Sequence, residues 1–375
     1  MLTFLTPNKK KDYTQTMTEW QPQITKIQSV QKHPNADALE IATILGDYPC
    51  IIKTNQYHQD DIISYIPVDS IVPDTEQFYF LSPPKRIYYE ENGETKERLD
   101  GPQFPLGSVP EKYRRIKAKK IRGIYSMGLI VDPIPNLNLG DSIVETLSLK
   151  KYEEEEEENI VLGSRKRADT ASPPKGWAIP YYDIDGLRKY WDAFSEIDEV
   201  VITEKIHGSN SSYIYHTDTF WVKSRNIYKK RCEEDAWWDI AIRYNLEEKL
   251  KNYPEMVFFG EMYGQIKNFR YDSKVINGKL LSNIRFFDIY SLKSMRYLDY
   301  DHASQILDEL NLPKVPELYR GPFPGKEKVK QMAEGTTTLS NHVREGVVIK
   351  TTKETIKHFG RLQLKLVGEG YSLKK

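Results

Sequence analysis

Apolar positions in the first 150 residues form short runs separated by turn-forming residues. Runs of this length that are bounded by Pro, Gly, Asn and Asp are typical of the strands of a small β-barrel. We predict strands at residues 24–27, 39–44, 50–53, 62–66 and 127–131. Residues 73–112 are polar and rich in Pro and Gly, so we expect an insertion loop there.

The second half of the chain, from about residue 176, mixes helical and strand periods. Apolar positions on one side of a helical repeat predict helices at 183–194, 236–250 and 302–310. Apolar runs predict strands at 199–202, 211–215, 256–259, 284–289, 346–349 and 362–366. There is no regular βαβ alternation and no GxGxxG or GxxxxGK[ST] motif, which argues against Rossmann and P-loop domains. The pattern predicts an α+β domain built on antiparallel sheet.

A charged segment separates the two halves. Six consecutive glutamates occupy positions 153–158, a basic cluster follows at 165–167, and Ser-Pro-Pro follows at 172–174. A segment of this composition without an apolar period is typical of an extended linker. We therefore predict a domain at 1–150, a linker at 151–175 and a domain at 176–375. A nuclear-import signal at 165–167 is an alternative reading of the basic cluster.

Composition excludes several classes of protein. Lys and Arg number 54 and Asp and Glu also number 54, so only local patches can indicate a nucleic-acid partner. Two cysteines are too few for a disulfide framework or a cysteine zinc site. Residues 1–15 lack the apolar core of a signal peptide, and no apolar run approaches the length of a membrane helix. We expect a soluble intracellular protein of the cytoplasm or nucleus, without a membrane partner.

Charged residues stand at the ends of, or inside, several predicted strands in the second half. They are two lysines and three carboxylates: Lys205, Glu261, Asp288, Glu345 and Lys365. A charge in such a run is costly unless it is paired or belongs to a site. Because five strands share this feature, we expect them to line one cleft.

This set of side chains suits phosphate and nucleotide chemistry. Lysines neutralise phosphates, one carboxylate can hold Mg²⁺, and another can hydrogen-bond a ribose. Phe286 or Phe287 can stack on a purine, and the other is expected in the core because adjacent strand residues face opposite ways. A lysine beside other cations or a metal can also serve as a nucleophile.

The order of these runs resembles the covalent nucleotidyltransferases, which comprise RNA ligases, DNA ligases and mRNA capping enzymes. The stretches similar to their motifs I, III, IIIa, IV and V are KIHGSN at 205–210, FFGEMYG at 258–264, FFDIY at 286–290, EGVVIK at 345–350 and QLK at 363–365. Histidine in the first motif is more similar to RNA ligases, since aspartate is usual in the other two groups. Gln363 departs from the pattern, because related ligases often carry a lysine at that position.

The resemblance implies a role for each matching residue. Lys205 would attack the α-phosphate of ATP to form lysyl-AMP and pyrophosphate. Glu204 and Phe287 would contact adenine, Glu261 the ribose, and Lys365 the α-phosphate. Glu345 would bind a catalytic Mg²⁺ or Mn²⁺. The other ATP-site residues that the resemblance implies are His207, Gly208, Asn210, Arg225 and Lys350.

The N-terminal half carries a second resemblance. HPNADAL at 33–39 and KIRGIYSMGL at 120–129 look like signatures of tRNA-binding OB domains. Such a barrel binds nucleic acid through loops, basic side chains and aromatics. The predicted nucleic-acid contacts are the basic residues Arg114, Arg115, Lys117, Lys119, Lys120 and Arg122.

Together the two halves predict an α+β protein in which an N-terminal OB-type β-barrel joins a nucleotidyltransferase domain with antiparallel sheets flanked by helices. This arrangement resembles the small RNA ligases that seal 3′-OH and 5′-phosphate ends in nicked duplexes through lysyl-AMP and an RNA-adenylate. We expect a monomer that acts on RNA with such ends. The alternatives are a GTP-using capping-type guanylyltransferase and a non-catalytic RNA-binding protein with a degenerate ligase core.

Overall fold

The structure is a computed structural model that describes residues 20–92, 94–152, 168–266, 269–271, 275–276, 279–280 and 282–374. In these ranges the first half of the chain folds into β1 Gln23–Lys32, β2 Leu39–Ile44, β3 Tyr48–Lys53, β4 Ile62–Ile66, β5 Ser70–Ile71, β6 Pro84–Glu91, β7 Glu94–Pro102, α1 Glu111–Arg114, β8 Lys119–Ile121, β9 Ile124–Ser126, β10 Leu129–Val131 and β11 Lys150–Lys151. The five strands predicted from the apolar runs are confirmed.

A strongly bent antiparallel sheet forms the N-terminal barrel. Its strand order is β10-β4-β1-β2-β3. The register of β1 shifts between Ile27 and Ser29, so the first part of this strand pairs with β4 and the second part with β2. The barrel closes where the Met127 N–H donates to the Pro49 carbonyl oxygen across 2.7 Å, beside the edge strand β3. Apolar side chains such as Ile44 and Ile63 fill its interior.

The segment expected as an insertion loop is largely ordered, and this prediction was wrong. A 3₁₀ helix spans Glu76–Leu81, and β6 and β7 pair as a long antiparallel hairpin. Nearly all side chains of this hairpin are exposed. Without a buried face it has no alternation of apolar and polar residues, which is why the sequence pattern did not indicate strands.

The second half of the chain contains two large sheets, with helices packed on them, and three two-stranded sheets in the described ranges. Its strands are β12 Asp185–Gly186, β13 Glu199–Lys205, β14 Ser209–His216, β15 Thr219–Ser224, β16 Tyr228–Lys229, β17 Met256–Tyr263, β18 Gln265–Ile266, β19 Phe269–Arg270, β20 Val275–Ile276, β21 Lys279–Leu280, β22 Asn283–Ser291, β23 Arg296–Tyr297, β24 Glu317–Pro322, β25 Gly346–Thr351, β26 Ile356–Lys357, β27 Gly360–Arg361 and β28 Gln363–Val367. Its helices are α2 Ala236–Arg243, α3 Leu246–Leu250, α4 Tyr300–Glu309, α5 Lys326–Ala333 and α6 Glu369–Ser372.

The two main sheets of this half are joined at one short turn. One has the order β12-β28-β25-β13-β24, and the other has the order β16-β15-β14-β17-β22-β23. The turn at 206–208 leads from β13 in the first sheet to β14 in the second. Helices α2, α3 and α4 pack their apolar sides on the second sheet, and α5 packs on the first. The expected α+β fold class is confirmed.

The three helix predictions differ in outcome. Helix α4 matches the prediction at 302–310 closely, whereas 236–250 contains two helices separated at Asn245, which has a left-handed backbone. The helix predicted at 183–194 was wrong. Residues Asp185 and Gly186 instead pair in parallel with β28, and two 3₁₀ turns follow at Leu187–Lys189 and Trp191–Ala193. A long-range strand partner overrides the local helical period there.

The barrel docks on the second half through Asp47, in the turn between β2 and β3. Its carboxylate pairs with Arg188 at 3.4 Å, Lys326 at 3.1 Å and Lys330 at 2.8 Å. At the neighbouring Gly46, an added Cβ would lie 2.4 Å from the Arg188 carbonyl oxygen. The close backbone approach therefore requires glycine.

The glutamate run at 153–158 and the basic cluster at 165–167 lie outside the described residues. None of the helices in the described part of the chain has the length and apolar character that crossing a membrane requires.

Candidate active site

The sequence motif TEKIHGSN forms the junction between the two sheets. Lys205 is the last residue of β13, and Ser209 is the first residue of β14. A Cβ added at Gly208 would lie 2.2 Å from the Met262 carbonyl oxygen and 2.7 Å from Glu261 Cγ. The turn therefore contacts β17 directly at Glu261, and glycine is the residue that allows this approach.

Lys205 contacts a carboxylate that is 140 positions away in the sequence. Its Nζ donates to Glu345 Oε1 at 2.8 Å, and both side chains are mostly buried. The pair forms because β13 and β25 are antiparallel neighbours in which Lys205 lies opposite Gly346. The second oxygen, Glu345 Oε2, is buried without a hydrogen-bond partner in the described part of the chain.

A second group of charges lies beside this pair. Lys365 Nζ is 3.8 Å from Asp183 Oδ1, and Arg225 Nη2 is 3.7 Å from Asp183 Oδ2. The guanidinium of Arg225 also donates from Nε to the Tyr181 hydroxyl at 2.7 Å. Asp183 thus connects two cations that the sequence predicts to bind ATP, and it holds both side chains at the cleft.

Glu204 faces away from Lys205, because consecutive strand residues point to opposite sides of a sheet. Its carboxylate is completely buried and accepts hydrogen bonds from Thr337 Oγ1, from the Thr338 N–H at 2.9 Å and from Thr338 Oγ1 at 2.8 Å. Arg344 Nε lies 3.6 Å from the same carboxylate. Glu204 is among the residues that line the cleft, but these partners hold its carboxylate on the side of β13 opposite Lys205.

The two phenylalanines of FFDIY face opposite ways. Phe286 is completely buried in the core beneath helices α2 to α4, whereas Phe287 lies at the cleft. The ring of Tyr182 packs against Phe287 with centroids 4.9 Å apart. Lys350 Nζ donates to the Phe287 carbonyl oxygen at 3.0 Å. Phe287 and Tyr182 therefore form an aromatic wall of the cleft, and the bond from Lys350 holds the backbone of Phe287 in place.

Asp288 is the centre of a buried polar network under this wall. Its carboxylate pairs with Arg361 at 2.9 Å and with Lys350 at 3.6 Å, and it accepts from the Tyr182 hydroxyl at 2.8 Å. Gln363 Nε2 donates in turn to the Tyr182 oxygen at 2.7 Å. Gln363 therefore supports the aromatic wall through Tyr182, and its Oε1 is buried without a hydrogen-bond partner among the described residues.

The network shifts the pKa values of its members. Burial disfavours the Asp288 carboxylate, but the charges of Arg361 and Lys350 outweigh burial and lower its pKa. Burial lowers the pKa of Lys350, and burial together with the Asp288 charge raises the pKa of Tyr182 well above its usual value. Asp288 is therefore an ionised structural carboxylate at neutral pH.

The barrel covers one side of the site, so that both halves of the chain line a cleft of about 800 Å³. From the barrel side come Trp20, Tyr48, Arg115, Lys117 and Tyr152. The guanidinium of Arg115 bonds Asp69 and stacks 3.7 Å from the centre of the Tyr152 ring. The cleft thus combines the charged motifs with an aromatic and basic surface of the barrel.

The predicted basic cluster of the barrel is divided by the fold. Arg115 and Lys117 line the cleft, but Lys119, Lys120 and Arg122 are exposed outside its lining. The guanidinium of the sixth residue, Arg114, donates to the carbonyl oxygens of Val109 and Val72 and so stabilises the barrel.

The HPNADAL stretch organises a turn of the barrel. His33 is buried with Nε2 3.1 Å from the Ile121 carbonyl oxygen, and its Nδ1 accepts from the Asn35 N–H at 3.1 Å. The Asn35 side chain donates to the Arg122 carbonyl oxygen at 2.9 Å. These contacts hold the β8–β9 turn, so the two OB-type signatures meet in space.

Comparison with known families shows which kind of domain contains this site. Residues 198–367 match the family model for RNA ligase, and residues 22–97 match a model for an OB-fold domain. The chain carries an RNA ligase domain. None of the curated proteins compared with this sequence matches it.

The RNA ligase domain and the barrel together resemble structures of an RNA ligase from Naegleria gruberi. A complex with pyrophosphate has 20% identity and a TM-score of 0.72, and the match covers 94% of this chain and 97% of that one. A mutant without ligand has 21% identity and a TM-score of 0.73, with 96% and 99% covered. A mutant with ATP and Mn has 22% identity and a TM-score of 0.70, with 94% and 98% covered. These matches show that the chain shares their fold over the 94–96% of its length that they cover.

The fold of the RNA ligase domain brings most predicted site residues to one cleft. Those at its lining are Glu204, Lys205, His207, Gly208, Asn210, Arg225, Glu261, Phe287, Glu345, Lys350 and Lys365. Asp288, predicted at the same cleft as one of three carboxylates, lies beneath its wall instead. The prediction placed Asp288 at the cleft because burying a charge without a partner is costly and the sequence showed no partner nearby. The partner is Arg361, which lies 73 residues away in the sequence.

Several residues of the site were missed in the sequence. Tyr182 and Asp183 precede β12, and Asp183 is the first residue of the stretch that the pattern assigns to a helix. Tyr271 accepts a hydrogen bond from the His207 N–H at 2.9 Å, and Tyr371 contacts the same residue near the C-terminus. None of these four lies in a recognisable motif, and only their proximity in the fold connects them to Lys205.

Proposed function

We propose that the protein is an ATP-dependent RNA ligase that seals 3′-OH and 5′-phosphate RNA ends or nicks through lysyl-AMP on Lys205. The observation that carries this proposal is the Lys205–Glu345 pair, 2.8 Å apart, inside a cleft that also contains Lys365, Arg225 and Phe287. The Naegleria gruberi enzyme of the same fold has been solved with pyrophosphate, and mutants of it with ATP or AMP and Mn. These ligands fit the chemistry of the present cleft.

In this proposal the nucleotide lies along the face of β13 that carries Lys205. Adenine stacks on Phe287, Lys350 lies beside it, and Glu261 accepts from the ribose hydroxyls. Because the Glu204 carboxylate faces away, its contact with adenine is assigned to the backbone of β13. His207, Gly208 and Asn210 form the turn and strand start against the phosphates.

In the first step the Lys205 Nζ attacks the α-phosphorus of ATP. A P–N bond forms, the bond to the bridging oxygen breaks, and its electron pair leaves with pyrophosphate. The ammonium group gives up a proton before attack, and Glu345 Oε1 is within hydrogen-bond distance to accept it. Lys365 and Arg225 stabilise the charge that develops on the transferring phosphate.

Glu345 also fits the divalent metal, Mg²⁺ or Mn²⁺, that this chemistry requires. Its Oε2 is a buried carboxylate oxygen with no hydrogen-bond partner among the described residues, and such an oxygen is the ligand that these ions prefer. No group of three or more His, Cys, Asp or Glu side chains with metal-binding geometry occurs in the described ranges. Phosphate oxygens and water would therefore complete the coordination, and the ion would neutralise phosphate charge.

In the second and third steps the partner is RNA. AMP passes from Lys205 to the RNA 5′-phosphate, and a 3′-OH then attacks that phosphorus and releases AMP as the phosphodiester bond forms. Arg115 and Lys117 are proposed to contact the RNA backbone, because they line the cleft. Lys119, Lys120 and Arg122 remain predicted contacts for parts of the duplex beyond the cleft, and Arg114 is the least suited because its guanidinium is engaged by backbone oxygens.

The test is covalent labelling with α-³²P-ATP or α-³²P-GTP in the presence of Mg²⁺ or Mn²⁺, followed by a denaturing gel. We expect label from ATP on the wild type and none on Lys205→Ala. The matched control is Lys251→Ala, which removes an exposed lysine that pairs with Glu248 and should label normally. A second assay follows sealing of a nicked RNA duplex by the same proteins.

Each outcome separates the candidates. Label from GTP alone would indicate a guanylyltransferase. An unlabelled wild type that still binds RNA would indicate a non-catalytic RNA-binding protein. A Lys205→Ala protein that still becomes labelled would disprove the assigned nucleophile.

A further inference from the structure

The C-terminal end of the described chain reaches the turn that follows Lys205. Tyr371 lies on the short helix α6 and is almost fully buried. Its hydroxyl is 2.7 Å from His207 Nδ1, and the two rings are in contact with centroids 5.7 Å apart. Because both residues line the cleft, this contact belongs to the surroundings of the nucleophile rather than to the distant core.

Helix α6 is held in place by contacts with the motif that contains Glu345. The Gly368 N–H donates to the Glu345 carbonyl oxygen at 2.9 Å, at the point where β28 ends. The Glu334 carboxylate accepts from the Glu369 N–H at 2.6 Å and from the Gly370 N–H at 3.2 Å. These bonds fix the direction in which Tyr371 leaves the helix, so its hydroxyl meets His207 in a defined position.

The chemistry of the two groups assigns the proton of this contact. A phenol O–H is a stronger donor than a neutral imidazole N–H, so the Tyr371 hydroxyl donates and His207 Nδ1 accepts. A neutral ring that accepts at Nδ1 carries its proton on Nε2. The backbone of the same residue is fixed independently, since the His207 N–H donates to the Tyr271 hydroxyl. His207 is therefore held in one orientation and one tautomer.

We propose that Tyr371 is a positioning residue for the adenylylation step: it holds His207 so that Nε2–H is a hydrogen-bond donor to the phosphates of the bound nucleotide. This inference rests on the proposed function, because it assumes that a nucleoside triphosphate occupies the cleft. It gives the histidine of KIHGSN a role, and it makes a residue outside all five motifs part of the site.

The first experiment measures single-turnover formation of labelled lysyl-AMP by Tyr371→Phe, which keeps the packed ring and removes only the hydroxyl. We expect the rate to fall about five- to tenfold, the loss that one neutral hydrogen bond supports. Tyr253→Phe is the matched control, because its hydroxyl bonds the exposed Glu309 outside the cleft lining, and it should keep the wild-type rate. Thermal melts of both variants confirm equal folding.

A double-mutant cycle tests whether the effect passes through His207. If Tyr371 acts by positioning that ring, adding Tyr371→Phe to His207→Ala should cause no further loss of rate. Wild-type activity in Tyr371→Phe, or an undiminished additional loss in the His207→Ala background, would overturn the inference.

A spectroscopic measurement reads the contact without nucleotide. In ¹⁵N-histidine-labelled protein, the His207 signals are assigned by their loss in His207→Ala. We expect a hydrogen-bonded, unprotonated Nδ1 in the wild type and a clear shift of that signal in Tyr371→Phe. A signal that does not move would exclude the bond. Because this result does not depend on ATP, failure of the proposed function and failure of this inference can be told apart.

Discussion

At the scale of single residues, Asp288 shows that a charged residue of a sequence motif can lie buried outside the cleft. It is completely buried and holds Lys350, Arg361 and Tyr182 in one network. Through Lys350 and Tyr182 the network fixes the position of Phe287, which lines the cleft. Its role is therefore to support the aromatic wall of the cleft.

Asp288→Asn should lower the free energy of unfolding by about 3–5 kcal/mol, because it removes the carboxylate that pairs with the buried Lys350 and leaves Glu354 as the remaining carboxylate partner of Arg361. Urea unfolding at neutral pH measures the difference. Asp301→Asn, which removes an exposed ion pair with Arg320, is the control and should cost less than about 1 kcal/mol. Equal losses in the two variants would contradict the structural role of Asp288.

The same network predicts a pH dependence. The pKa of Asp288 in the folded protein is below the ordinary value of 3.8, so the unfolded chain takes up the proton first as pH falls. The contribution of Asp288 to stability is complete above about pH 5 and is lost as pH falls through the folded pKa. Urea unfolding between pH 5 and pH 3 should therefore show a steeper loss for the wild type than for Asp288→Asn. Parallel curves would contradict this assignment.

At the scale of elements, the site depends on how closely the 206–208 turn approaches β17. This approach places Glu261 beside the turn that follows Lys205, although the two residues belong to different sheets. It is possible only because position 208 has no side chain.

Gly208→Ala should lower the rate of lysyl-AMP formation by about a hundredfold, since the added Cβ would displace the turn from Met262 and Glu261 by the order of an ångström. Gly101→Ala is the control, because the space around that glycine is open within 4 Å. Single-turnover labelling with α-³²P-ATP compares the two. An active Gly208→Ala protein would show that the turn can move without cost.

At the scale of the whole molecule, docking of the barrel depends on charge rather than on a large apolar interface at Asp47. Burial opposes ionisation of this carboxylate, but hydrogen bonds and charges from Lys330 and Lys326 lower its pKa overall. Arg188 adds a third cation from the segment that precedes Lys205. These ion pairs connect the barrel to the domain that carries Lys205.

Asp47→Asn should weaken docking by about 1–3 kcal/mol, because charge-assisted hydrogen bonds are replaced by neutral ones. Small-angle X-ray scattering should then show a larger radius of gyration, and more so at high salt. Asp60→Asn keeps the barrel charge equal to that of Asp47→Asn but affects only a pair with Lys26 within the barrel. A larger radius of gyration in both variants, or in neither, would contradict the role of Asp47 in docking the barrel.

The sequence by itself determined the local elements of this protein and the residue types of its site. Short apolar runs indicated the barrel strands and β17, β22, β25 and β28, because a buried strand is encoded within a few residues. The motifs also indicated Lys205, Glu345 and Lys365 as candidate site residues, since two lysines and a carboxylate suit phosphate chemistry. Where neither face of a strand is buried, as in the β6–β7 hairpin, the pattern of apolar and polar residues did not indicate the strands.

Only the tertiary structure decided which side chains meet. Glu345 reaches Lys205 through sheet order, Asp183 joins Lys365 and Arg225 because β12 pairs with β28, and Tyr371 reaches His207 through helix α6. These contacts join residues far apart in the chain, so no local pattern of apolar and polar positions can encode them. The orientation of the Glu204 carboxylate likewise depends on Thr337 and Thr338, which lie more than 130 positions away.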